Sequence, residues 1–358
     1  MDATTVPTRY WHLCDDGRIQ CDLCPRECKL HPGQRGLCFV RERRNDEIVL
    51  TTYGLSSGFC VDPIEKKPLF HFYPGTSALS FGTAGCNLAC RYCQNWEISK
   101  ARRDRVLAVS ARPARIAATA AQLRCRSVAF TYNDPVPFHE YAVDTAIACR
   151  ERGIAAVAVT AGYVSPAPRA EFYRHMDAAN IDLKSIDDAF SRRYCAGRLA
   201  PVLDTLEFVH HETDVWLEIT NLVIPGCNDS PRRIGGLASW IHDHLGPDVP
   251  LHLSAFRPAF RMRDHSPTPP EALFAAARIA REAGLRHVYL GNLAGPEGAD
   301  TRCSGCGRLL IARRAYRIAS WHLVDGCCPD CGTPCPGRFD RAPGTGTGYP
   351  RPVEITGA

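Results

Sequence analysis

Short apolar runs alternate with longer segments of helical periodicity through the middle of the chain. The apolar runs predict strands at Leu79–Thr83, Ser127–Tyr132, Ile154–Thr160, Ile181–Lys184, Val215–Asn221, Leu251–Phe256 and His287–Leu290. The segments between them predict helices at Pro113–Leu123, Val136–Arg152, Pro166–Ala178, Ala200–His211, Arg232–His244 and Pro270–Ala283. Such regular alternation is typical of parallel βαβ units, so the pattern indicates an α/β fold.

The number of units narrows the architecture. About six βα units are too few for a closed eightfold barrel. We therefore expect an open, partial (β/α)6 barrel, with a doubly wound parallel sheet as the alternative. In either case, side chains that do chemistry are expected at the carboxyl ends of the strands.

Differences in composition and in the predicted elements divide the chain into four regions. Residues 1–75 form an N-terminal Cys-rich module with a short strand-like run at Ile48–Tyr53, and residues 76–296 form the barrel. Residues 297–335 form a C-terminal module that resembles a zinc ribbon or rubredoxin. Residues 336–358 are rich in Gly and Pro, which predicts a disordered tail.

Polar residues interrupt three of the predicted strands with a spacing of two. Asp182 and Lys184 share one face of their strand, Glu218 lies between Trp216 and Thr220, and His252 precedes Ser254 by two residues. Strands of parallel sheets are usually apolar on both faces. The stripes therefore predict a polar barrel interior that binds a ligand, although a buried salt bridge such as Lys184 with Glu218 is an alternative reading.

Three cysteines follow the first predicted strand of the barrel. Cys86, Cys90 and Cys93 form a C-x3-C-x2-C motif directly after Gly82 and Gly85. Three thiolates on one loop can bind three irons of a [4Fe–4S] cluster and leave the fourth iron open to a substrate. This arrangement is typical of radical S-adenosylmethionine (SAM) enzymes, in which SAM occupies the open position. The alternative is a zinc site with a distant fourth ligand.

Two more cysteine groups flank the barrel. Cys21, Cys24, Cys28 and Cys38 make a compact four-thiol set that suits either structural zinc or a second Fe–S cluster. Cys303-x2-Cys306 and Cys328-x2-Cys331 are two knuckles 21 residues apart, which is typical of a structural zinc site. Cys327 and Cys335 are possible replacements for a ligand in this group.

Composition limits location and partners. The chain has 43 Lys and Arg against 38 Asp and Glu, a net charge of +5 that argues against nucleic-acid binding. The first ten residues lack the basic and apolar regions of a secretory signal, and no run reaches the roughly 18 apolar residues of a membrane span. With 19 cysteines and none of these signals, we expect a cytoplasmic metalloprotein with no membrane partner.

Seven stretches together resemble the radical SAM component of the AmmeMemoRadiSam system, a family similar to the activating enzymes of pyruvate formate-lyase. The resemblance covers nearly the whole chain. The stretches are Cys21–Glu42, Gly82–Ser99, Thr131–Pro135, Asn180–Ser185, Cys195–Leu203, Trp216–Ser230 and Tyr289–Gly307.

The resemblance assigns roles to particular residues. It implies that Cys86, Cys90 and Cys93 hold the cluster and that Thr131, Asn133 and Asp134 meet the SAM amino group. It further implies that Asp182 and Lys184 contact SAM and that Glu218 lines the same cavity. An electron donor such as flavodoxin or ferredoxin, and the partner proteins of the AmmeMemoRadiSam system, are the expected partners.

Three functions follow as hypotheses. The first is a radical SAM enzyme of the oxidoreductase type that abstracts hydrogen from a protein, peptide or small molecule. The second is an activase that leaves a glycyl radical on a partner enzyme. The third is a zinc protein without catalysis, which leaves the βα array and its polar interior unexplained.

Overall fold

The computed structural model describes residues 4–101, 109–293 and 298–355. Its N-terminal part consists of short strands, and its buried residues, such as Ile19, Val40 and Ile48, join the same hydrophobic core as the barrel. These strands are β1 Val6–Pro7, β2 Trp11–Leu13, β3 Ile19–Cys21, β4 Cys28–Leu30, β5 Arg41–Arg44, β6 Glu47–Leu50 and β7 Leu55–Ser56. The first sheet has the order β1-β6-β5 and the second has the order β2-β3-β4, and both are antiparallel.

A nine-stranded sheet forms the centre of the molecule. Its members are β8 Phe59–Pro63, β9 Ser77–Phe81, β11 Ser127–Phe130, β12 Ala155–Thr160, β13 Ala178–Asp182, β14 Trp216–Val223, β15 Leu251–Ala255, β16 Val288–Gly291 and β20 Arg351–Val353. Seven of these strands, β9 and β11 to β16, pair in chain order and run parallel. The remaining short strand, β10 Val109–Ser110, pairs with β7. The expected α/β fold with a central parallel sheet is confirmed.

Six helices connect the seven parallel strands. They are α2 Pro113–Gln122, α3 His139–Arg150, α4 Pro166–Arg174, α6 Ala200–Glu212, α7 Pro231–Leu245 and α8 Pro270–Glu282, while α1 Trp96–Ser99 and α5 Asp188–Phe190 are short. Helices α2, α7 and α8 each bury one apolar stripe, as Ile234, Leu237 and Ile241 of α7 do, whereas most of α3 is buried.

Two of the predicted helices differ from the observed bounds by more than one residue. The predicted helix at 136–152 begins with a 3₁₀ turn, Val136–Phe138, and its α-helical part is His139–Arg150. The predicted helix at 166–178 ends at Arg174, since Ala178 and Ala179 are buried in strand β13. Alanine favours helices locally, and sheet pairing overrides that preference here.

The boundary expected after residue 75 separates two strands that pair with each other. Strand β8 lies antiparallel to β9, with Phe59 opposite Phe81 and Pro63 opposite Ser77. Strand β8, residues 59–63, therefore belongs to the barrel sheet. The boundary expected between residues 296 and 297 lies outside the described residues.

The C-terminal module contains a three-stranded antiparallel sheet. Its strands are β17 Thr301–Arg302, β18 Leu309–Arg314 and β19 Arg317–Trp321. Leu310, Ile311 and Leu323 pack with the cysteines of the module in a small core of its own.

The tail was expected to be disordered, and for residues 336–355 this expectation is wrong. Strand β20 pairs with β8 along the edge of the barrel sheet. Gly344 and Gly346 donate backbone hydrogen bonds to Pro74 and Gly75. The glycines permit this close approach, because a Cβ on Gly344 would lie 2.5 Å from Thr76 Cγ2. Residues 356–358 lie outside the described residues.

Candidate functional site

The triad loop, residues 86–93, follows strand β9 at the carboxyl end of the parallel sheet. Cys86, Cys90 and Cys93 line one cleft of about 300 Å³. The cleft also contains Asp182 and Lys184 from the end of β13. The structure thus brings together the sequence-predicted triad and the predicted Asp-x-Lys pair.

The three thiols do not have the tight spacing of a single-ion site. The Cys86, Cys90 and Cys93 sulfurs do not all lie within 4.8 Å of one another, although all three are described. A single ion needs its ligands closer together, whereas a cluster spreads one thiolate over each iron. Burial raises the pKa of Cys86 to about 12, so a metal that bound this thiol would have to displace its proton.

Hydrogen bonds from two sides hold the triad loop in place. The Asn133 amide donates to the Gly85 carbonyl at 2.7 Å, and Asn133 Oδ1 accepts the Thr83 N–H at 2.9 Å. On the other side, the loop N–H groups of Ala89 and Arg91 donate to the carbonyls of Cys195 and Tyr194. These two carbonyls belong to a π-helix, residues 191–195, a feature that is frequent at functional sites.

Asp182 and Lys184 form an ion pair at the floor of the cleft. Lys184 Nζ lies 2.8 Å from Asp182 Oδ2. Burial opposes the charge on Lys184, but the Asp182 carboxylate and the nearby Cys90 raise the pKa of the lysine. The pair therefore offers one negative and one positive group to a ligand, as the ammonium and carboxylate of an amino acid require.

Thr131, Asn133 and Asp134 also line the cleft, but two of their side chains are already occupied. Asn133 holds the triad loop. The Asp134 carboxylate accepts hydrogen bonds from the N–H groups of Val136 and Ala161 and from the Thr160 hydroxyl. Asn133 and Asp134 therefore position the ends of strands β9, β11 and β12.

Glu218 was expected to line the cleft, and this expectation is wrong. Its side chain is completely buried in the interior of the barrel and is absent from the cleft wall. The carboxylate accepts hydrogen bonds from four groups: the Phe70 and His71 backbone N–H, Trp216 Nε1 and His252 Nε2. These bonds, despite burial, lower the pKa of Glu218 to about 2. The alternative pairing of Lys184 with Glu218 is also wrong, because Lys184 pairs with Asp182.

The structure adds cleft residues to those that the resemblance assigned to SAM, and two of them, Thr220 and Ser254, come from the predicted polar stripes. Thr220, Ser254 and Asn292 line the cleft from three further strand ends. Ser99 Oγ lies 3.2 Å from Cys93 Sγ. Asn292 comes directly after β16, the last parallel strand. It could have been predicted from the rule that functional residues lie at the carboxyl ends of the strands. Nothing in the local sequence singles out Ser99.

The four N-terminal cysteines also converge. Cys21, Cys24, Cys28 and Cys38 line one small enclosed cavity with Asn87 of the triad loop. Three of these thiols are buried, and Cys28 is half-buried.

The four C-terminal cysteines make a tighter set. The sulfurs of Cys303, Cys306, Cys328 and Cys331 all lie within 4.8 Å of one another. Two of the sulfur pairs are 3.4 and 3.7 Å apart, close to the roughly 3.8 Å expected of a tetrahedron with Zn–S bonds of about 2.3 Å. Cys327 lies outside this set, and Cys335 is buried 4.0 Å from His71 Nδ1, so neither replaces a ligand.

A partial parallel barrel with three cysteines after its first strand defines a class of protein that binds an Fe–S cluster and SAM. Residues 81–234 match the Radical SAM superfamily. An uncharacterized protein of Methanocaldococcus jannaschii is 37% identical over 325 residues, which cover 90% of this chain and 96% of that protein. The chain belongs to the radical SAM superfamily, and membership implies an Fe–S cluster and SAM as cofactors.

Solved structures are similar in fold. A radical SAM methyltransferase from Sphaerobacter thermophilus has a TM-score of 0.50 at 16% identity, covering 86% of this chain and 81% of that chain. A domain of a pyruvate-formate lyase-activating enzyme from Bacteroides vulgatus has a TM-score of 0.41 at 21% identity, covering 46% of this chain and 99% of that domain. At this level of identity the likeness concerns the fold alone.

Within the described residues, no helix combines the length and the apolar character that crossing a membrane requires.

Proposed function

We propose that this protein cleaves SAM reductively and uses the resulting radical to abstract hydrogen from a protein, peptide or small-molecule substrate. Cys86, Cys90 and Cys93 would hold a [4Fe–4S] cluster. The observation that carries the proposal is that these three thiols share one cleft with the Asp182–Lys184 pair.

The chemistry that a cluster of this kind supplies with SAM is one-electron cleavage of the sulfonium to methionine and a 5′-deoxyadenosyl radical. The protein chain would hold SAM in position in the cleft. Asp182 and Lys184 suit the ammonium and the carboxylate of the methionine moiety. Thr131, Thr220, Ser254 and Asn292 add neutral polar contacts on the cleft wall. Asn133 and Asp134 act by fixing the strand ends.

The size of the cleft bears on the substrate. A volume of about 300 Å³ is at the lower end of ligand pockets, so SAM leaves little enclosed space for a second molecule. The substrate group therefore enters at the mouth of the cleft. This supports a segment of a peptide or protein, or one end of a small molecule, presented by partner proteins such as those of the AmmeMemoRadiSam system.

Arginines surround the exposed side of the triad loop. Arg91, Arg257, Arg261 and Arg263 are exposed, and the Arg261 N–H donates to the Arg91 carbonyl. A basic rim beside a redox site attracts an acidic partner at low salt. It supports docking of an acidic electron donor such as flavodoxin or ferredoxin.

A glycyl-radical activase is the second candidate. It shares the first half-reaction, and entry of the substrate group at the mouth of the cleft suits a loop of a partner enzyme. A glycyl radical signal on a co-incubated partner enzyme would distinguish it from the broader proposal. The zinc-scaffold hypothesis needs mononuclear spacing at all three cysteine groups, and in the described chain only the C-terminal group has it.

Zinc is the ion that we propose for the C-terminal site. Four thiols in near-tetrahedral spacing leave no open coordination position, which is typical of a structural zinc site. The Thr333 hydroxyl and backbone lower the pKa of Cys331 to about 6, so this thiol is readily deprotonated for binding.

The test is anaerobic reconstitution with iron and sulfide, followed by SAM and dithionite, with 5′-deoxyadenosine measured by chromatography. The full chain is expected to produce it, and a Cys86/Cys90/Cys93→Ala variant is expected to produce none. A matched control replaces Cys14, Cys60 and Cys327, three partly exposed cysteines outside all groups, with alanine. Equal yields from both triple variants would refute the proposal.

A further inference from the structure

The N-terminal thiol set, consisting of Cys21, Cys24, Cys28 and Cys38, differs from the C-terminal set in its spacing. No three of its four sulfurs lie mutually within 4.8 Å, although all four residues are described and all line one cavity. Zinc with bonds of about 2.3 Å would draw all four together, as in the C-terminal module. A cluster binds each thiolate at a different iron, so its ligands stand further apart.

The wall of the same cavity carries hydrogen-bond donors without acceptors. Arg41 is 1% exposed; its Nε donates to the Pro137 carbonyl and one terminal nitrogen pairs with Glu140, but the other terminal nitrogen has no partner. Arg26 Nη2 is likewise buried without a partner. Both arginines line the cavity.

Such donors indicate an acceptor in the cavity. An unsatisfied buried donor costs about 1–3 kcal/mol, more when it is charged. The sulfides and thiolates of an Fe–S cluster are anionic acceptors, and N–H groups commonly bond to them.

One short stretch of backbone joins this cavity to the radical SAM site. A Cβ on Gly85 would lie 1.9 Å from the Cys38 carbonyl oxygen, so the two backbones are in contact. Arg26 Nε donates to the Asn87 carbonyl at 2.8 Å. Gly85 and Asn87 flank Cys86, so the two thiol sets are separated by about two residues of chain, on the order of 10 Å.

We propose that Cys21, Cys24, Cys28 and Cys38 hold a second [4Fe–4S] cluster that passes electrons to the cluster on the triad loop. The proposed step is the transfer of one electron. A reduced flavodoxin-type or ferredoxin-type protein gives one electron to the second cluster, which gives it to the triad-loop cluster and returns to its oxidised state. This electron transfer between the two clusters, the relay, rests on the proposed function, whereas the presence of the second cluster does not.

The first experiment asks whether the site holds iron. The Cys86/Cys90/Cys93→Ala variant is isolated without oxygen and analysed for iron, acid-labile sulfide and zinc, and by Mössbauer spectroscopy. We expect about four iron and four sulfide per chain, as one [4Fe–4S] cluster requires. Loss of both on adding Cys21→Ala and Cys24→Ala, and retention on adding Cys14→Ala instead, would assign the cluster to this site.

A triple variant that contains zinc but neither iron nor sulfide would overturn the proposal. If the variant with five substitutions does not fold, the Mössbauer spectrum of the triple variant decides by itself. If the triple variant holds its cluster but the full chain makes no 5′-deoxyadenosine, the proposed function fails and the second site stands.

The second experiment asks about the relay. Cys21→Ala/Cys24→Ala with an intact triad is mixed with reduced flavodoxin, and reduction of the triad-loop cluster is followed by rapid-freeze EPR. We expect reduction by flavodoxin to be lost and reduction by dithionite, a small reductant, to be retained. Unchanged reduction by flavodoxin would overturn the relay.

Discussion

The side-chain amide of Asn133 donates a hydrogen bond of 2.7 Å to the backbone carbonyl of Gly85. This bond ties the loop after β11 to the residue before Cys86, so the position of Cys86, a proposed cluster ligand, depends on a side chain almost fifty residues away. Gly82 makes the arrangement possible, because a Cβ at that position would lie 2.4 Å from Asn133 Oδ1.

Gly82→Ala is therefore expected to displace Asn133 and loosen the triad loop. Overpacking of this kind costs about 1–3 kcal/mol, and iron retention after anaerobic gel filtration is expected to fall. Gly235→Ala is the matched control, because its Cβ meets nothing closer than 3.6 Å and it lies within helix α7. That control is expected to gain up to about 1 kcal/mol in unfolding free energy. Full iron retention in Gly82→Ala would contradict the role given to Asn133.

Asp182→Asn tests the ion pair in the cleft. The substitution removes the negative charge beside Lys184, so SAM loses a charge-assisted contact worth about 1.5–3 kcal/mol. The dissociation constant of SAM, measured by equilibrium dialysis, is expected to rise roughly 10- to 100-fold. Asp264→Asn, on an exposed carboxylate paired with His265, is expected to leave binding unchanged. Equal affinity in the two variants would remove Asp182 from the SAM site.

The buried carboxylate of Glu218 predicts loss of stability in acid. Its pKa is lowered from an ordinary 4.5 to about 2, because the charged form is held by hydrogen bonds from His252 and from the backbone. A lowered folded-state pKa gives stability that is present above pH 4.5 and is lost as the pH falls towards 2. The loss attributable to this group is on the order of 3 kcal/mol.

Urea unfolding of Glu218→Gln at pH 7 tests the same group. The amide of glutamine would face N–H donors, so we expect a destabilisation of about 3–5 kcal/mol and a weaker acid dependence. Glu207→Gln, at an exposed carboxylate paired with His244, is the control and is expected to change stability by less than about 1 kcal/mol. A Glu218→Gln variant with the unfolding midpoint of the parent protein would show that the four hydrogen bonds do not stabilise the barrel.

Two neighbouring cysteines in the C-terminal module allow a matched test of the proposed zinc site. Cys328 belongs to the tight four-thiol set, and Cys327 does not. Cys328→Ala is expected to lose one zinc per chain because three ligands remain, whereas Cys327→Ala is expected to retain it. Zinc is measured by mass spectrometry after dialysis. Retention of zinc by Cys328→Ala would show that the metal is bound elsewhere.

The tail predicts an effect of truncation. Removal of residues 345–358 would expose the edge of β8, which pairs with Arg351–Val353 in the full chain. An uncovered edge strand is a template for intermolecular pairing. The truncated protein is therefore expected to form aggregates that light scattering detects, while the full chain stays dispersed. A truncated protein that stays equally dispersed would contradict a protective role for β20.

Local pattern was enough to determine the order of strands and helices, the open parallel barrel and the loop that carries Cys86, Cys90 and Cys93. These features depend on hydrophobic periodicity and on cysteine spacing, and both can be recognised within a short segment of the sequence. The same logic placed Asp182 and Lys184 at the carboxyl end of a strand.

Only the tertiary structure decided how each polar group is used. Glu218 and Thr220 lie two residues apart on one face of β14, yet Glu218 is enclosed by four donors and Thr220 lines the cleft. Three of the four donors come from Phe70, His71 and His252, which are distant along the chain, and only Trp216 is local. The tail likewise has little structure of its own, and its order comes from the free edge of β8. In each case the deciding partner is remote in sequence, so no local pattern contains it.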